Sequence, residues 1–414
     1  FHPARVASDN RRNWIDNQLR NNNLPPLNDI QISSLRTGWD SGIFDGFAGD
    51  VSPDAAVAFE KSDDVAFVVP DFRSTVADIT SVSNSPWGPA RMSQQGPLQN
   101  RDPKQETFTY TFDDSAGEGV DIYVLDTGVR ISHVEFEGRA SFPPDATFST
   151  GIPGQDIQGH GTHVAGIVAG SVHGVARSAN IIAVKVMDDD GSGASSSIIA
   201  GINFVSRAAA QSGRPSIINL SITTPASQAI DAACAAAVQQ GIHVIVAAGN
   251  EGVDAGQTSP ARADAVISVG ATDINDQIAS FSNTGQTVDF LAPGVEIISL
   301  GNDRDDALKT LDGTSMAAPM VSGLVAYLLR LEGNKSPLAM KVRLRDLATQ
   351  NVIRGISAQS GTVNALVFNG AVANPGQPAG QEILQQQGVI ASVDSMVSAF
   401  SALTATVARR PDDD

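Results

Sequence analysis

The chain has 414 residues, of which 42% are hydrophobic and 17% are charged, a composition typical of a folded globular protein rather than a disordered chain. This length exceeds the usual size of one domain, so we expect one large domain with smaller additions. The formal net charge of -18 argues against a general nucleic-acid binder, whose binding face would carry clustered Lys and Arg.

Neither a disulfide nor a membrane anchor is expected. Cys234 is the single cysteine, and its alanine-rich surroundings, DAACAAAV, are typical of a small residue buried on a helix. The sequence contains no run of about 18 apolar residues, so it predicts no membrane span. Phe1 opens a polar stretch that lacks the charged and then apolar pattern of a signal peptide, so we expect that a signal has been removed or was never present.

Residues 1–79 are predicted to form a small α+β unit with a linker. They are rich in Asn, Asp and Arg, and they contain a possible helix around Trp14, a strand-like stretch ending in GFAGD, a helix from Pro53 and the apolar run VAFVVPD. The segment from Phe72 to Pro86 is polar, rich in Ser and bounded by proline, which is typical of an exposed linker. A protease could cut the chain there.

From Val120 onward, strand-like apolar runs alternate with stretches of helical pattern. The runs are VDIYVLD, IIAVKVM, IINLSI, HVIVAAG and AVISVGA, while residues 195–211, 227–240 and 316–331 carry apolar residues at three-and-four spacing. This alternation predicts an α/β domain with a mostly parallel sheet that is buried on both faces. In such sheets, loops at the carboxyl ends of the strands build the functional site.

The last part of the chain, residues 371–414, is predicted to be an extension. The sequence NPGQPAGQ at 374–381 breaks the preceding pattern, and apolar residues of the segment 382–408 then fall on one helical stripe. These residues are Ile390, Val393, Val397, Phe400 and Val407. We expect a docked helix followed by disorder from Arg409.

An acidic residue ends the first strand of the predicted sheet. Asp126 follows the run 120–125 and opens the sequence Asp-Thr-Gly, which places a carboxylate at the edge of a buried strand, where it could orient another group. The alternative is an ordinary turn residue, because Asp before Thr-Gly is common in loops.

The segment Gly159-His160-Gly161 contains the best candidate for a catalytic base. Glycine on each side lets the backbone bring the imidazole close to other groups. His163 lies three residues on, but this is not the spacing of HExxH and no Glu lies between the two, so we predict a structural role for His163 instead of a metal pair. The remaining histidines, interpreted as structural or solvated, are His2, His133, His173 and His243.

Ser315 stands at the start of an apolar helix, in the sequence DGTSMAAP. A helix start offers free backbone N–H groups and a positive dipole end, which suit a developing oxyanion. The alternative is that Ser315 only caps the helix.

Together, the motifs DTG, GHGTHVAG, AAGN and GTSMAAP resemble those of subtilisin-like serine proteases, closest to the proteinase K-like branch of fungal enzymes. The chain order Asp, His, Ser is already described for subtilisin. The resemblance covers about residues 80–370 and implies a three-layer α/β catalytic domain that hydrolyses peptide bonds without a cofactor for the chemistry. The implied roles are nucleophile for Ser315, general base and then acid for His160, orienting carboxylate for Asp126, and oxyanion-hole donor for Asn250.

The resemblance also implies where substrate binds. An extended peptide would add as a strand between residues 191–193 and 221–223, and a roomy apolar first pocket would give broad specificity. Relatives commonly have two glycines where this chain has Thr223 and Thr224, so the cleft is expected to be narrower. The implied binding residues are Gly191, Ser192, Gly193, Ser221, Ile222, Ala247 and Gly249.

A structural calcium ion is implied by the same resemblance. Asp289, in VDFLAPG, is similar to a Ca²⁺-binding carboxylate of proteinase K-like enzymes, with main-chain oxygens supplied near Asp264 and Val266. Asp264 departs from the proline found in relatives. The alternative interpretation is a plain surface turn.

Residues 1–79 resemble the propeptide of these proteases, which acts as an intramolecular chaperone and inhibitor. The match lies in GFAGDVSPDAAVAFEKSDDVAFVVPD, and Pro86-Trp87-Gly88 is similar to the start of mature relatives, which implies self-cleavage in the linker, near Thr80. The implied partners are protein and peptide substrates and the chain's own propeptide. The resemblance further implies a monomer that is secreted or vacuolar.

Three other functions fit the sequence less well. Asp40-Ser41-Gly42 and Asp126-Thr127-Gly128 supply the two short motifs of an aspartic protease, but the alternating helical segments contradict its β-rich fold. A lipase or esterase is disfavoured because the sequence has no G-x-S-x-G elbow. The non-enzymatic alternative is a catalytically silent, zymogen-like binding protein held shut by its own pro-segment.

Overall fold

The computed structural model describes residues 11–25, 36–40, 45–48, 53–62 and 79–371. The chain divides into two compact units, residues 1–76 and 77–414. His2, the apolar run at 65–71 and the predicted C-terminal helix lie outside the described residues.

The first unit contains a helix at Trp14 and one from Pro53, as predicted, and a short antiparallel sheet. Helices α1 (Arg11–Asn21) and α2 (Pro53–Glu60) pack against each other, and strands β1 (Arg36–Asp40) and β2 (Asp45–Ala48) pair antiparallel. The buried side chains described on the two helices are Ile15, Leu19, Ala55, Ala58 and Phe59.

The second unit is built of alternating strands and helices. Its helices are α3 (Trp87–Met92), α4 (His160–Ala169), α5 (Ser195–Ser212), α6 (Gln228–Gln239), α7 (Thr314–Glu332) and α8 (Pro337–Leu347). Its strands are β3 (Ile79–Ser85), β4 (Phe108–Asp113), β5 (Asp121–Asp126), β6 (Ala140–Ser141), β7 (Asn180–Lys185), β8 (Ser216–Leu220), β9 (Thr224–Pro225), β10 (His243–Ala247), β11 (Thr258–Ser259), β12 (Ile267–Thr272), β13 (Phe290–Pro293), β14 (Ile297–Leu300), β15 (Leu308–Leu311), β16 (Thr349–Gln350) and β17 (Ala365–Leu366).

Nine of the described strands form one central sheet in the order β16-β17-β13-β12-β10-β8-β5-β7-β6. Its neighbouring strands pair parallel, except β16 with β17. Alternate residues of β5 face opposite cores: Ile122 and Val124 join a core with α4 and α7, and Tyr123 and Leu125 join a core with α5 and α6. The predicted three-layer α/β fold with a mostly parallel sheet is therefore confirmed.

Helix α7 is the central helix of its layer. By length and mean hydropathy it could span a membrane, but 83% of its most apolar window is buried inside the protein, so it is a core helix. Cys234 is also fully buried, on α6, as predicted for a small helix residue, and burial raises the pKa of its thiol to about 12.

The predicted linker up to Pro86 is wrong in its second half. Residues 79–85 form β3, which pairs antiparallel with β4. The strand is polar because one of its faces is exposed, whereas Phe108, Tyr110 and Phe112 of β4 are buried. A two-stranded surface ribbon needs few apolar residues of its own, so composition alone did not distinguish β3 from a loop.

A buried histidine joins two acidic side chains near the start of β4. The His173 ring nitrogens lie 2.7 Å from Glu135 Oε1 and 3.0 Å from Glu106 Oε1, and Glu135 Oε2 accepts the backbone N–H groups of Val172 and His173. Burial lowers the pKa of His173, but the bonds and charges of Glu135 and Glu106 outweigh it, so the pKa lies above 6.5. The sequence had shown no partner for this residue.

We predict that His173→Gln destabilises the protein most strongly between about pH 4.5 and 6.5. The His173 charge contributes fully below its unfolded pKa of 6.5 and is lost as the pH rises through the higher folded value, whereas Glu135, whose pKa is lowered, contributes above 4.5. A buried hydrogen bond to a charged group is worth about 1.5–3 kcal/mol. Urea unfolding from pH 5 to 9 measures the difference, and a difference that grows toward pH 9 would contradict the assignment.

Candidate active site

The candidate residues gather at one edge of the central sheet, where its parallel strands end. Asp126 ends β5, Ser221 follows β8 and Asn250 lies in the loop after β10. Two helices begin at the same edge, α4 with His160 and α7 with Ser315 as its second residue. Since α4 and α7 also pack against each other, the sheet brings together residues that lie far apart in the chain.

Asp126 and His160 form a direct contact. Nδ1 of His160 lies 2.8 Å from Asp126 Oδ1 and 3.0 Å from Oδ2, and Oδ1 also accepts the Thr127 N–H at 2.7 Å. The Asp126 side chain is 1% exposed, whereas that of His160 is 25% exposed. The carboxylate is therefore fixed inside the protein, and the other edge of the imidazole is accessible.

The charge of Asp126 sets the basicity of His160. Burial lowers the pKa of His160, but the charge and the hydrogen bond of Asp126 raise it, and Asp156 raises it further, so the pKa lies above 6.5. Gly161 allows the approach, because a Cβ at this position would overlap the carbonyl oxygen of Gly128 and lie 3.1 Å from Asp126 Cβ. This gives a steric reason for the glycine that follows His160.

Asp156, which the sequence analysis missed, ties the Asp126 turn to the start of α4. Its Oδ1 accepts the Thr127 hydroxyl and the Gly159 N–H, each at 2.8 Å, and its Oδ2 accepts the N–H and hydroxyl of Thr162. The Thr127 oxygen in turn accepts the Gly161 N–H at 3.0 Å. One buried carboxylate thus fixes the turn after Asp126 against the start of α4, which carries His160. The spacing Asp-x-x-Gly-His was the only signal in the sequence.

Lys185 is a second positioning residue that the sequence did not reveal. It ends β7 beside Asp126, is fully buried, and donates to the Thr127 carbonyl oxygen. Its ammonium also lies 2.9 Å from Asp189 Oδ1, and Asp189 Oδ2 accepts the Ile152 N–H. A buried ammonium requires such partners, so Lys185 couples the Asp126 turn to the segment that precedes Gly191.

Ser315 and Asn250 lie close together at the start of α7. Asn250 Oδ1 accepts the Thr314 N–H at 2.8 Å and its hydroxyl at 2.9 Å, which orients the amide group. Gly313 has φ +150, and a Cβ added to it would lie 3.5 Å from both Asn250 Nδ2 and the Ser315 backbone nitrogen. The two nitrogens therefore lie near one point, and their role as an oxyanion hole stays a prediction.

The residues around Ser315 are also bonded to the end of β8. The Ser315 hydroxyl donates to the Ser221 carbonyl oxygen at 3.2 Å, and the Ser221 hydroxyl donates to the Ser315 carbonyl oxygen at 2.8 Å. Ser221 in turn accepts the Asn219 amide at 3.0 Å, and Asn219 accepts the Ser322 hydroxyl at 2.8 Å. The serine hence sits on a chain of bonds that joins β8 to α7.

Residues 191–193, predicted to line one side of the bound peptide, lie beside the start of α4. The Asp188 N–H donates to the Ser192 carbonyl oxygen and the Gly191 N–H to Asp188, which closes a tight turn with φ +85 at Gly191. A Cβ on Gly191 would lie 3.5 Å from Gln158, whose Oε1 accepts the His160 N–H. The turn therefore borders the segment that carries His160.

The other predicted binding residues lie at the carboxyl end of β10 or just after β8 and β10. Ser221 and Ile222 are buried, and Thr223 is partly exposed. The Thr224 hydroxyl donates to the carbonyl oxygens of Pro225 and Ser259, so it is bonded to the backbone of the β9–β11 pair.

Asn283 holds the loop after Ala247, which carries Gly249 and Asn250. Its amide donates to the Ala248 carbonyl oxygen and to Glu251, and its oxygen accepts the N–H groups of Glu251 and Val253. Gly249, at φ +109, is required because a Cβ there would overlap the Asn283 amide. Asn283 was not singled out from the sequence, because its four bonds reach back about 30 residues.

His163 is a structural residue, as predicted. Its Nε2 lies 3.1 Å from the Ile297 carbonyl oxygen and 3.0 Å from that of Lys309, and burial lowers its pKa to about 3. It is therefore neutral at physiological pH. Within the described residues, no group of three or more His, Cys, Asp or Glu side chains is placed to hold a metal ion.

The oxygens predicted to bind calcium are already bonded to a lysine. Nζ of Lys341, on α8, lies 2.8 Å from Asp289 Oδ2, 2.9 Å from the Val266 carbonyl oxygen and 3.4 Å from that of Asp264. Calcium needs six to eight oxygens at about 2.3–2.6 Å, so it does not fit among these atoms while the ammonium is there. As the residues stand, they do not match the predicted site.

Comparison with known proteins gives consistent results. The model of the subtilase family, peptidase S8, matches residues 117–369. The chain is 43% identical to subtilisin-like protease 3 of Pseudogymnoascus destructans over 75% of this chain and 76% of that protein. It is 39% identical to the cuticle-degrading protease of Metarhizium anisopliae over 79% of this chain and 81% of that protein.

A solved structure is similar over most of the chain. The crystal structure of a cold-adapted subtilisin-like serine proteinase covers 70% of this chain and 100% of its own, with a TM-score of 0.62 and 37% sequence identity.

We predict that Asp156→Asn lowers both the pKa of His160 and the free energy of unfolding. The substitution removes a charge that raises this pKa, and its amide must face either the Thr162 N–H or the Gly159 N–H, leaving a buried donor unpaired. We expect a loss of about 1–3 kcal/mol. NMR titration of the imidazole and urea unfolding measure the two effects, with the exposed Asp145→Asn as control. An unchanged His160 pKa would contradict the proposed coupling.

Proposed function

This chain belongs to the subtilase family of serine endopeptidases, in its proteinase K-like branch of fungal enzymes, and we propose that Asp126, His160 and Ser315 carry out its peptide hydrolysis as one unit. The observation that carries the proposal is the 2.8 Å contact between His160 Nδ1 and Asp126, at the same sheet edge as Ser315. With Nδ1 held by the carboxylate, Nε2 is the nitrogen left to accept a proton.

In the first step, Ser315 Oγ attacks the carbonyl carbon of the substrate while His160 Nε2 takes the hydroxyl proton. The Ser315 hydroxyl donates to the Ser221 carbonyl oxygen in the resting structure, so it turns toward His160 when substrate binds. Negative charge develops on the carbonyl oxygen, and the Asn250 amide and the Ser315 N–H donate to it. The C–N bond then breaks as His160 gives its proton to the leaving amine.

In the second step, water hydrolyses the acyl-enzyme. His160 takes a proton from the water, the hydroxide attacks the acyl carbon, and the bond to Ser315 Oγ breaks as His160 returns the proton. Asp126 stays ionised throughout and stabilises the imidazolium that forms in each step. Its 1% exposure supports this role, because a buried charge beside His160 acts more strongly than one in water.

Substrate binding is proposed to use backbone more than side chains. An extended peptide lies between residues 191–193 and 221–223, with its first side chain near Ala247 and Gly249. Small residues at these positions support a broad, apolar-leaning specificity. Thr223 and Thr224 narrow the cleft beyond the first pocket.

We further propose that the enzyme is made as a zymogen and that residues in the first unit are its inhibitory propeptide. A cut near Thr80 would fall inside β3, and a strand must leave its sheet before a protease can cleave it, so we propose a bond before Ile79. We also propose that the enzyme is a monomer and that it is secreted or delivered to a vacuole. A catalytically silent, zymogen-like binding protein is the alternative.

We predict that Asn250→Ala lowers kcat about 10²- to 10³-fold with little change in KM, because the amide would contact the oxyanion only in the transition state. Hydrolysis of casein and of a short peptide substrate measures the effect. The control is Asn334→Ala, an exposed asparagine just beyond the C-terminal end of α7. Unchanged turnover in Asn250→Ala would remove this residue from the site.

Self-processing predicts different fragments from the wild type and from Ser315→Ala. The wild type is expected to release the N-terminal unit by a cut before Ile79, whereas Ser315→Ala remains intact because it lacks the nucleophile. Intact mass spectrometry of both full-length chains, produced in the same host, measures this. Equal cleavage of both chains would assign the cut to a host protease, and no hydrolysis by the processed wild type would favour the silent alternative.

A further inference from the structure

The Lys341 ammonium lies in a cage of oxygen atoms at the edge of the sheet opposite the active site. Asp289 immediately precedes β13, and Val266 immediately precedes β12, so both lie where these parallel strands begin. Lys341 reaches them from α8, the helix that follows α7. The cage therefore joins a helix to the amino ends of two neighbouring strands.

Every donor of the ammonium has an acceptor in this cage. The three N–H groups of a lysine can serve three oxygens, and Nζ lies 2.8 Å from Asp289, 2.9 Å from Val266 and 3.4 Å from Asp264. The first two distances are those of hydrogen bonds from nitrogen and exceed those of calcium–oxygen bonds. The Lys341 side chain is 20% exposed and that of Asp289 is 11% exposed, so the pair is largely removed from water.

The Asp289 carboxylate is held in place beside the ammonium. Its Oδ2 also accepts the Ser268 N–H at 3.0 Å, and the Asp289 N–H donates to the Ser268 carbonyl oxygen, which fixes the carboxylate against β12. Burial raises the pKa of Asp289, and the charge of Lys341 opposes this rise. The guanidinium of Arg345, 4.0 Å from Oδ1, adds a second positive charge from the same helix.

We propose that the Lys341 ammonium replaces a divalent cation in this cage, so that the protein carries its own positive charge where a calcium ion would otherwise bind. An ammonium and Ca²⁺ cannot share the cage, because they would repel each other and compete for the same oxygens. The stabilisation that the cage gives by joining α8 to β12 and β13 is then independent of the calcium concentration.

The test compares thermal unfolding in EGTA and in Ca²⁺, with every chain carrying Ser315→Ala to prevent autolysis. In the wild type, the cage is expected to bind no calcium. Any difference in Tm between EGTA and Ca²⁺ should therefore be the same in the wild type and in Asp289→Asn. Lys341→Ala is expected to unfold several degrees lower in EGTA, because the buried carboxylate loses its partner, and to regain stability in about 1 mM or more Ca²⁺. In the double variant Lys341→Ala/Asp289→Asn, the gained calcium response should disappear.

Lys341→Met provides a matched control, because it removes the charge but keeps a long side chain in the cage. It is expected to lose stability without gaining a calcium response.

Two results would overturn the proposal: a Tm shift in the wild type that disappears in Asp289→Asn, or a Lys341→Ala chain whose Tm does not change with Ca²⁺. The comparison of the wild type with Asp289→Asn stands even where the Lys341 variants fail to fold. Since the cage lies away from the active site, this outcome is independent of the proposed catalytic roles.

Discussion

The hydrogen bond between Asp126 and His160 depends on where a buried strand ends and where a helix begins. Asp126 is the last residue of β5, and His160 is the first residue of α4, so both side chains project from the carboxyl edge of the sheet. The contact requires the backbone of Gly161 to touch that of Gly128, which only a residue without Cβ permits. The glycines around His160 therefore determine whether the imidazole can meet the carboxylate.

A second layer of buried polar groups fixes these elements against each other. Asp156 joins the Asp126 turn to α4, Lys185 joins the same turn to the segment before Gly191, and Asn283 shapes the loop that ends in Asn250. Each makes several bonds in a region that excludes water, where an unpaired polar group would be costly. Such a network leaves the reactive groups little freedom to move, which is the condition for preorganised stabilisation of developing charge.

The sequence was sufficient for the fold, and it named the candidate catalytic residues only through motifs that together resemble those of a known family. Continuous apolar runs marked strands such as β5 and β10, and the glycine-framed motifs marked His160 and Ser315. The strand β3 was missed since its exposed face makes it look like a linker. Asp156, Asn283 and Lys341 were missed because their roles arise from contacts between distant segments, and Lys341, 52 residues after Asp289, bears no local sign that its ammonium lies in the expected calcium cage.

Labelling by a fluorophosphonate shows whether Asp126, His160 and Ser315 act as one unit. The reagent forms a covalent bond only with a serine whose proton is removed by a neighbouring base. After removal of the N-terminal unit, we expect a single adduct, located on Ser315 by peptide mass spectrometry, that is lost in His160→Ala and strongly slowed in Asp126→Ala. An adduct on another residue, or labelling of Ser315 at an unchanged rate in His160→Ala, would contradict it.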